Sequence, residues 1–237
     1  MSDAVAPVAE RSLGQDLGDL FISPGDAFES LLKKGQFWIP LVVWLALTYA
    51  FQAIWLSHLD VAEFLRRQAE LAGKPVPAMP EAALGFVKIA MWVGAFVVVP
   101  IALFAIAGVY LLIFRVFMGT SVTFRQTLTV LAWSSLCVSL VSLPLTFGTM
   151  ALKGDWNQVP QLAFQTSAAL VLDQATAAKP LYALADSLDL FVIWTLFLMT
   201  TGFAVASRRS FSSAALGVLG PWGLYVLIKV GWAALMG

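Results

Sequence analysis

Charged and metal-binding side chains are scarce in this chain of 237 residues: Asp, Glu, Lys and Arg together make up 12%, and there is one His and one Cys. A single cysteine, Cys137, excludes an internal disulfide, and its place inside an apolar run reads as a small core residue. His58 has no second His and no nearby Cys to join it as a ligand, which excludes a conventional His/Cys metal site. The same shortage weakens an intramembrane enzyme. A zinc protease needs a pattern such as HExxH, and a serine protease needs a base beside its nucleophile. Asp186 and Asp189 are the only carboxylates near a span entrance that suggest acid catalysis, and their spacing fits an N-cap and its third-position partner better. Formal net charge is zero, so nothing points to nucleic acid, and no cofactor signature is present.

What the chain has instead is apolar length. Hydrophobic residues are 60% of it, against roughly 45–50% in soluble domains, and nine Trp and seventeen Phe supply the aromatic excess of interfacial belts. The expected fold is all-α: a polytopic membrane protein with five transmembrane helices, preceded by an amphipathic helix lying along the membrane. Residues 1–36 form a tail and that helix, and 37–237 form the membrane domain. The expected spans are 37–56, 89–114, 126–150, 186–206 and 211–236, each long enough for a hydrocarbon core of roughly 30 Å. Residues 1–15 lack the apolar core of a cleavable signal and read as a mostly disordered tail, so the first span acts as its own signal. Leu13, Leu17, Leu20 and Phe21 have the spacing of a further surface helix.

Local signals refine this plan. Ser23 is placed to cap a helix that starts at Pro24, with Asp26 in its first turn and Gly35 as its stop. Ala27, Phe28, Leu31 and Leu32 recur at near-helical spacing and form its apolar face, expected in the cytoplasmic interface or against the cytoplasmic ends of the spans. Glu63, Arg66, Arg67 and Glu70 sit at three- and four-residue spacings, as on a solvated helix, and Pro75, Pro77 and Pro80 break the chain before it re-enters. Pro100 should free a carbonyl that a neighbour must satisfy. Ser135, Ser139, Ser142 and Thr146 share one helical face that should pack on protein or, less simply, line a solute path. Residues 159–172 suit an interfacial or re-entrant helix. Gly217, Gly220, Gly223 and Gly231, with Pro221, should make the last span thin and able to approach another backbone.

Lys and Arg tie across the two sides: Arg11, Lys33, Lys34, Arg115, Arg125, Arg208 and Arg209 against Arg66, Arg67, Lys74, Lys88, Lys153, Lys179 and Lys229. Their density in the short turns favours the N-terminus inside and the C-terminus outside. The fourth and fifth spans run antiparallel around Arg209, which puts Asp189 and Lys229 at nearly one depth in the outer half of the bilayer. A charge pair there, with Asp186 nearby, would set the rotation of the two helices; the alternative is that Lys229 snorkels outward and Asp189 only caps its helix.

The order of parts resembles a known family. LFISPGDAFESLLKKGQFWIPLV, then SVTFRQTLTVLAWSSL after a polar turn, then DSLDLFVIWTLFLMTTGFA before a basic turn and a last span are similar to the Yip family, the Ypt/Rab-interacting membrane proteins, in its bacterial branch. The likeness runs from Leu20 to the C-terminus. It implies five spans, a cytoplasmic N-terminus and, for this branch, the bacterial inner membrane; eukaryotic relatives are associated with trafficking and small GTPases. No catalytic residue carries across. The function expected is a non-enzymatic membrane-organising or trafficking-like adaptor, and the alternative is a small-solute or lipid transporter or channel, motivated by Pro100, Pro144, Pro221 and the hydroxyl face. Expected partners are membrane lipids, a cytoplasmic protein at the N-terminal helix, and a second copy of the chain.

Overall fold

The computed structural model describes residues 11–71, 73, 75, 80–173 and 176–235. The first part of the expected tail and most of the proline-rich turn near Pro77 lie outside them. Five helices are long and apolar enough to cross a membrane; four begin within four residues of the expected spans, and the second begins at Glu81, eight residues before the expected 89. They are α3 (Trp38–His58), α5 (Glu81–Leu112, carried on by a π-helical turn, Ile113–Phe117), α6 (Phe124–Lys153), α9 (Leu190–Ser207) and α10 (Phe211–Leu235). Shorter helices are α1 (Leu13–Ile22), α2 (Pro24–Lys34), α4 (Val61–Leu71), α7 (Pro160–Ala163) and α8 (Lys179–Ser187). The protein is an all-α polytopic membrane protein, with no strand among the described residues.

Three elements meet the start of α6 at what is here termed the near end, which also holds the turns before Phe124 and after Ser207. Thr123 opens α6 with a capping box to Gln126. From Thr127 to Ser134, α6 is buried on all sides. A Cβ on Gly202 would lie 2.7 Å from a Val130 methyl and 3.1 Å from the Phe28 ring, so α2, α6 and α9 close onto one point that only glycine permits. Phe203 stacks on Phe114 at 4.4 Å, and Phe114 in turn lies against Gly217 of α10. Gly220, Gly223 and Gly231 have no such neighbour, so Gly217 alone of these four glycines admits a close contact. Pro100 leaves the Phe96 carbonyl without its helical donor, and the Tyr49 hydroxyl donates to it at 3.4 Å.

The N-terminal helices pack lengthwise against the bundle, the second of the two places expected for the apolar face of α2. Arg125 Nε donates to the Gly35 carbonyl at 2.6 Å, Phe28 reaches Gly202, and Phe21 packs edge-on to Trp194, so α2 follows α6 and α9 inward from their near-end tips. Ala27, Phe28 and Leu31 are buried and Leu32 partly so, all against protein. α1 returns antiparallel: Lys34 donates to the Arg11 carbonyl and at 2.5 Å to Asp16, which is buried and also receives Ser30. Helix α1 therefore starts inside the expected tail, with a Ser12–Gln15 capping box. Ser23 makes no side-chain cap, because it ends α1 while it begins α2, and its backbone (φ −137°, ψ 66°) serves both. Gly35 stops α2 in the left-handed conformation, as expected.

At the far end, α4 is tied down by charge. Arg66 and Arg67 both bond Glu63, and Arg67 reaches across to Asp155 at 2.9 Å. These two guanidinium groups hold the Glu63 carboxyl down to about 2. A depressed carboxylate contributes its stability above the unfolded value, about 4.5, and loses it as pH falls toward 2. A spin label at exposed Ala62 is expected to gain mobility across that window, and in Glu63→Gln to be mobile already at pH 7.

Candidate functional site

Taking α3 as a ruler gives the depth of every other element. Its length from Trp38 to His58 is about 30 Å, the thickness of a hydrocarbon core. Trp44 Nε1 donates to Ser139 Oγ at 3.0 Å, which puts Trp38 about 5 Å inward of the level shared by Val130, Gly202 and Gly217. From that level, Asp189 is about 20 Å along α9, Lys229 about 18 Å along α10 and Ser142 about 18 Å along α6. All three lie about half-way across α3, and there the structure holds a cavity of about 550 Å³.

The cavity exists because the fourth span is broken. Of the expected helix over 186–206, residues 190–206 lie in α9, while Asp186 and Ser187 end the shorter α8 and Leu188 and Asp189 leave the helical conformation between the two. Both pieces pack along α10. The segment expected as one interfacial or re-entrant helix is not one helix. It is α7, an extended stretch and a 3₁₀ turn (Ala168–Val171), and it runs inward to pair with the break. Ser167 and Asp189 form an antiparallel bridge, Ala168 N–H donates to the Leu188 carbonyl at 3.1 Å, and Leu190 N–H to the Thr166 carbonyl at 3.4 Å. Backbone freed at mid-depth is thus satisfied by protein, the condition under which non-helical chain is tolerated there.

The charges divide differently from the expected Asp189–Lys229 pair. Lys229 donates to Asp186 at 2.7 Å and to Ser187 Oγ at 3.2 Å. Asp189 instead caps α9: one oxygen accepts from Phe191 and Val192 N–H, and the other from Thr166 Oγ1 at 2.5 Å. Asp189 is thus the N-cap itself, and Asp186 belongs to the preceding helix, where α8 directs it at Lys229. The hydroxyl face of α6 is also divided. Ser142 and Thr146 line the cavity, Ser139 serves Trp44, and Ser135 is half-buried.

Several lining groups were not singled out in the sequence. Gln161, Gln165 and Ser167 come from the inward loop, and Trp222 and Tyr225 from α10. The i,i+4 pair Gln161 and Gln165 behind Pro160 was the one visible mark of a polar segment. No cluster of three or more His, Cys, Asp and Glu suited to a metal occurs among the described residues.

The Yip1 domain matches residues 18–233, from α1 into α10. The chain belongs to that family. The Yip1 region therefore contains α2 and the second half of α1, the break before α9 and the cavity together. Neither the curated proteins nor the solved structures contain a match.

Proposed function

We propose that this Yip1-domain protein is a non-enzymatic membrane organiser that recruits a protein through the α1–α2 hairpin, held on the cytoplasmic face of a bacterial inner membrane. The observation that carries this reading is the docking of the hairpin. With Ala27, Phe28 and Leu31 consumed by the bundle, α2 turns Asp26, Glu29 and Lys33 outward on a fixed platform, and Ile22 at its tip is 82% exposed near the level of Trp38. Lys229 lies at mid-depth in an ion pair, which removes it from the tally of loop cations and tips the balance toward a cytoplasmic near end. A photo-crosslinker at Glu29 or Lys33 in native membranes is expected to give one reproducible protein adduct, whereas one at Leu31 should trap only the chain itself. Background labelling at both exposed positions would overturn the reading.

A second reading, passage of a small solute or lipid, is favoured by the broken span, since discontinuous helices that meet at mid-depth are the usual frame of a transport site. Reconstituted vesicles that show no flux over a broad solute and lipid panel would remove it.

A further inference from the structure

We propose that the mid-depth cavity is a binding site for an ammonium group carried on an organic molecule. Charge points to a cation. Asp186 and Lys229 neutralise each other at 2.7 Å, which leaves Asp189 as the surplus charge of the cavity, about 15 Å from either end of α3. Asp189 is held by three hydrogen bonds at the N-terminus of α9 but has no ion-pair partner among the described residues, and a cationic ligand would neutralise that charge at mid-depth. Volume excludes a bare ion as the fitting occupant: about 550 Å³ is the size of a small organic molecule. Wall chemistry selects ammonium, because Phe164, Phe191, Trp222 and Tyr225 present aromatic rings, and an ammonium is attracted to ring faces as well as to a carboxylate.

An independent observation also calls for a ligand. Ser167 lines the cavity, is 7% exposed, and its hydroxyl oxygen has no hydrogen-bond partner among the described residues. A buried hydroxyl left unpaired is unfavourable, and an N–H donor in the cavity satisfies it. The site is open on one flank, since the Lys229 and Asp186 side chains remain 29% and 39% exposed, and at that depth the opening faces acyl chains. The amine can come from the ethanolamine headgroup of a phospholipid or from a free amphiphilic amine. The inference shares its cavity with the transport reading but requires occupancy only, and it is independent of the hairpin platform.

Calorimetry on the full chain in phosphatidylglycerol nanodiscs tests it, with hexylammonium as the probe and hexanol as its uncharged counterpart. Saturable hexylammonium binding is expected, at least tenfold tighter than hexanol. Asp189→Asn, which keeps a capping side chain, should weaken it at least tenfold, and Tyr225→Leu, which leaves the cap untouched, by severalfold. Repeating the titration in phosphatidylethanolamine nanodiscs separates the sources: loss of apparent affinity identifies the lipid as the competitor, and unchanged affinity identifies a free amine. No saturable binding, equal binding of hexanol, or full affinity in both variants would overturn the proposal. Because binding is read without flux, an occupied site that moves nothing sinks the transport reading alone.

Discussion

Phe28→Ala is expected to destabilise the protein by about 3–5 kcal/mol and to free the N-terminal hairpin, since the ring is fully buried and its removal opens a cavity between three helices that cannot collapse. The readouts are the thermal midpoint in detergent and tryptic cleavage at Lys33 and Lys34, which should be slow in the native protein and fast in the variant. Gly202→Ala attacks the same point from the other side. Its Cβ would meet the two Val130 methyls at 2.7 and 2.9 Å, and those methyls sit on a stiff β-branched side chain, so about 1–3 kcal/mol should be lost. Val130→Ala should recover most of that loss in the double variant. A Phe28→Ala protein with native midpoint and native protease resistance would show that the hairpin does not dock as described.

The same residues show what could be read in the sequence and what could not. Five runs of apolar residues are unambiguous because spanning length is a one-dimensional property, and the apolar face Ala27, Phe28, Leu31 and Leu32 is a matter of period alone. Period cannot distinguish lipid from protein as the surface that covers such a face. The difference lies at Gly202 and Val130, far away in the chain, where space is left for the Phe28 ring. The break at Leu188 was hidden for a related reason. A helix that is hydrophobic all round carries no phase, so residues 186–206 read as one span, and two acids three apart suit a cap at the first as well as at the second. Thr166 and Ser167 decide between them, by pairing with Asp189 from a loop whose course no local signal specified. The equal depth of Asp189 and Lys229 followed from antiparallel helices and the rise per residue. Which carboxylate takes the ammonium depended on α8, a helix absent from that reasoning.

Breaking the ion pair should be the most damaging change in the half of the bundle away from the hairpin. Lys229→Met leaves Asp186 with no cation near mid-depth, and Asp186→Asn leaves Lys229 with only Ser187, so each single variant is expected to lose about 3 kcal/mol or more. Removing both charges leaves a neutral amide and a thioether of similar volume, a state that apolar surroundings tolerate, so the double variant should recover much of the loss. The coupling energy expected is about 1.5–3 kcal/mol. Asp189→Asn behaves differently, because Asn caps a helix nearly as well as Asp and can still accept from Phe191 and Val192 N–H. It should cost less than about 1 kcal/mol and add to Lys229→Met within about 0.5 kcal/mol. Thermal unfolding in one detergent across the full set of single and double variants decides the matter. Strong coupling of Lys229 to Asp189, with none to Asp186, would mean that α8 is not seated against α10 and that the break in the fourth span lies elsewhere.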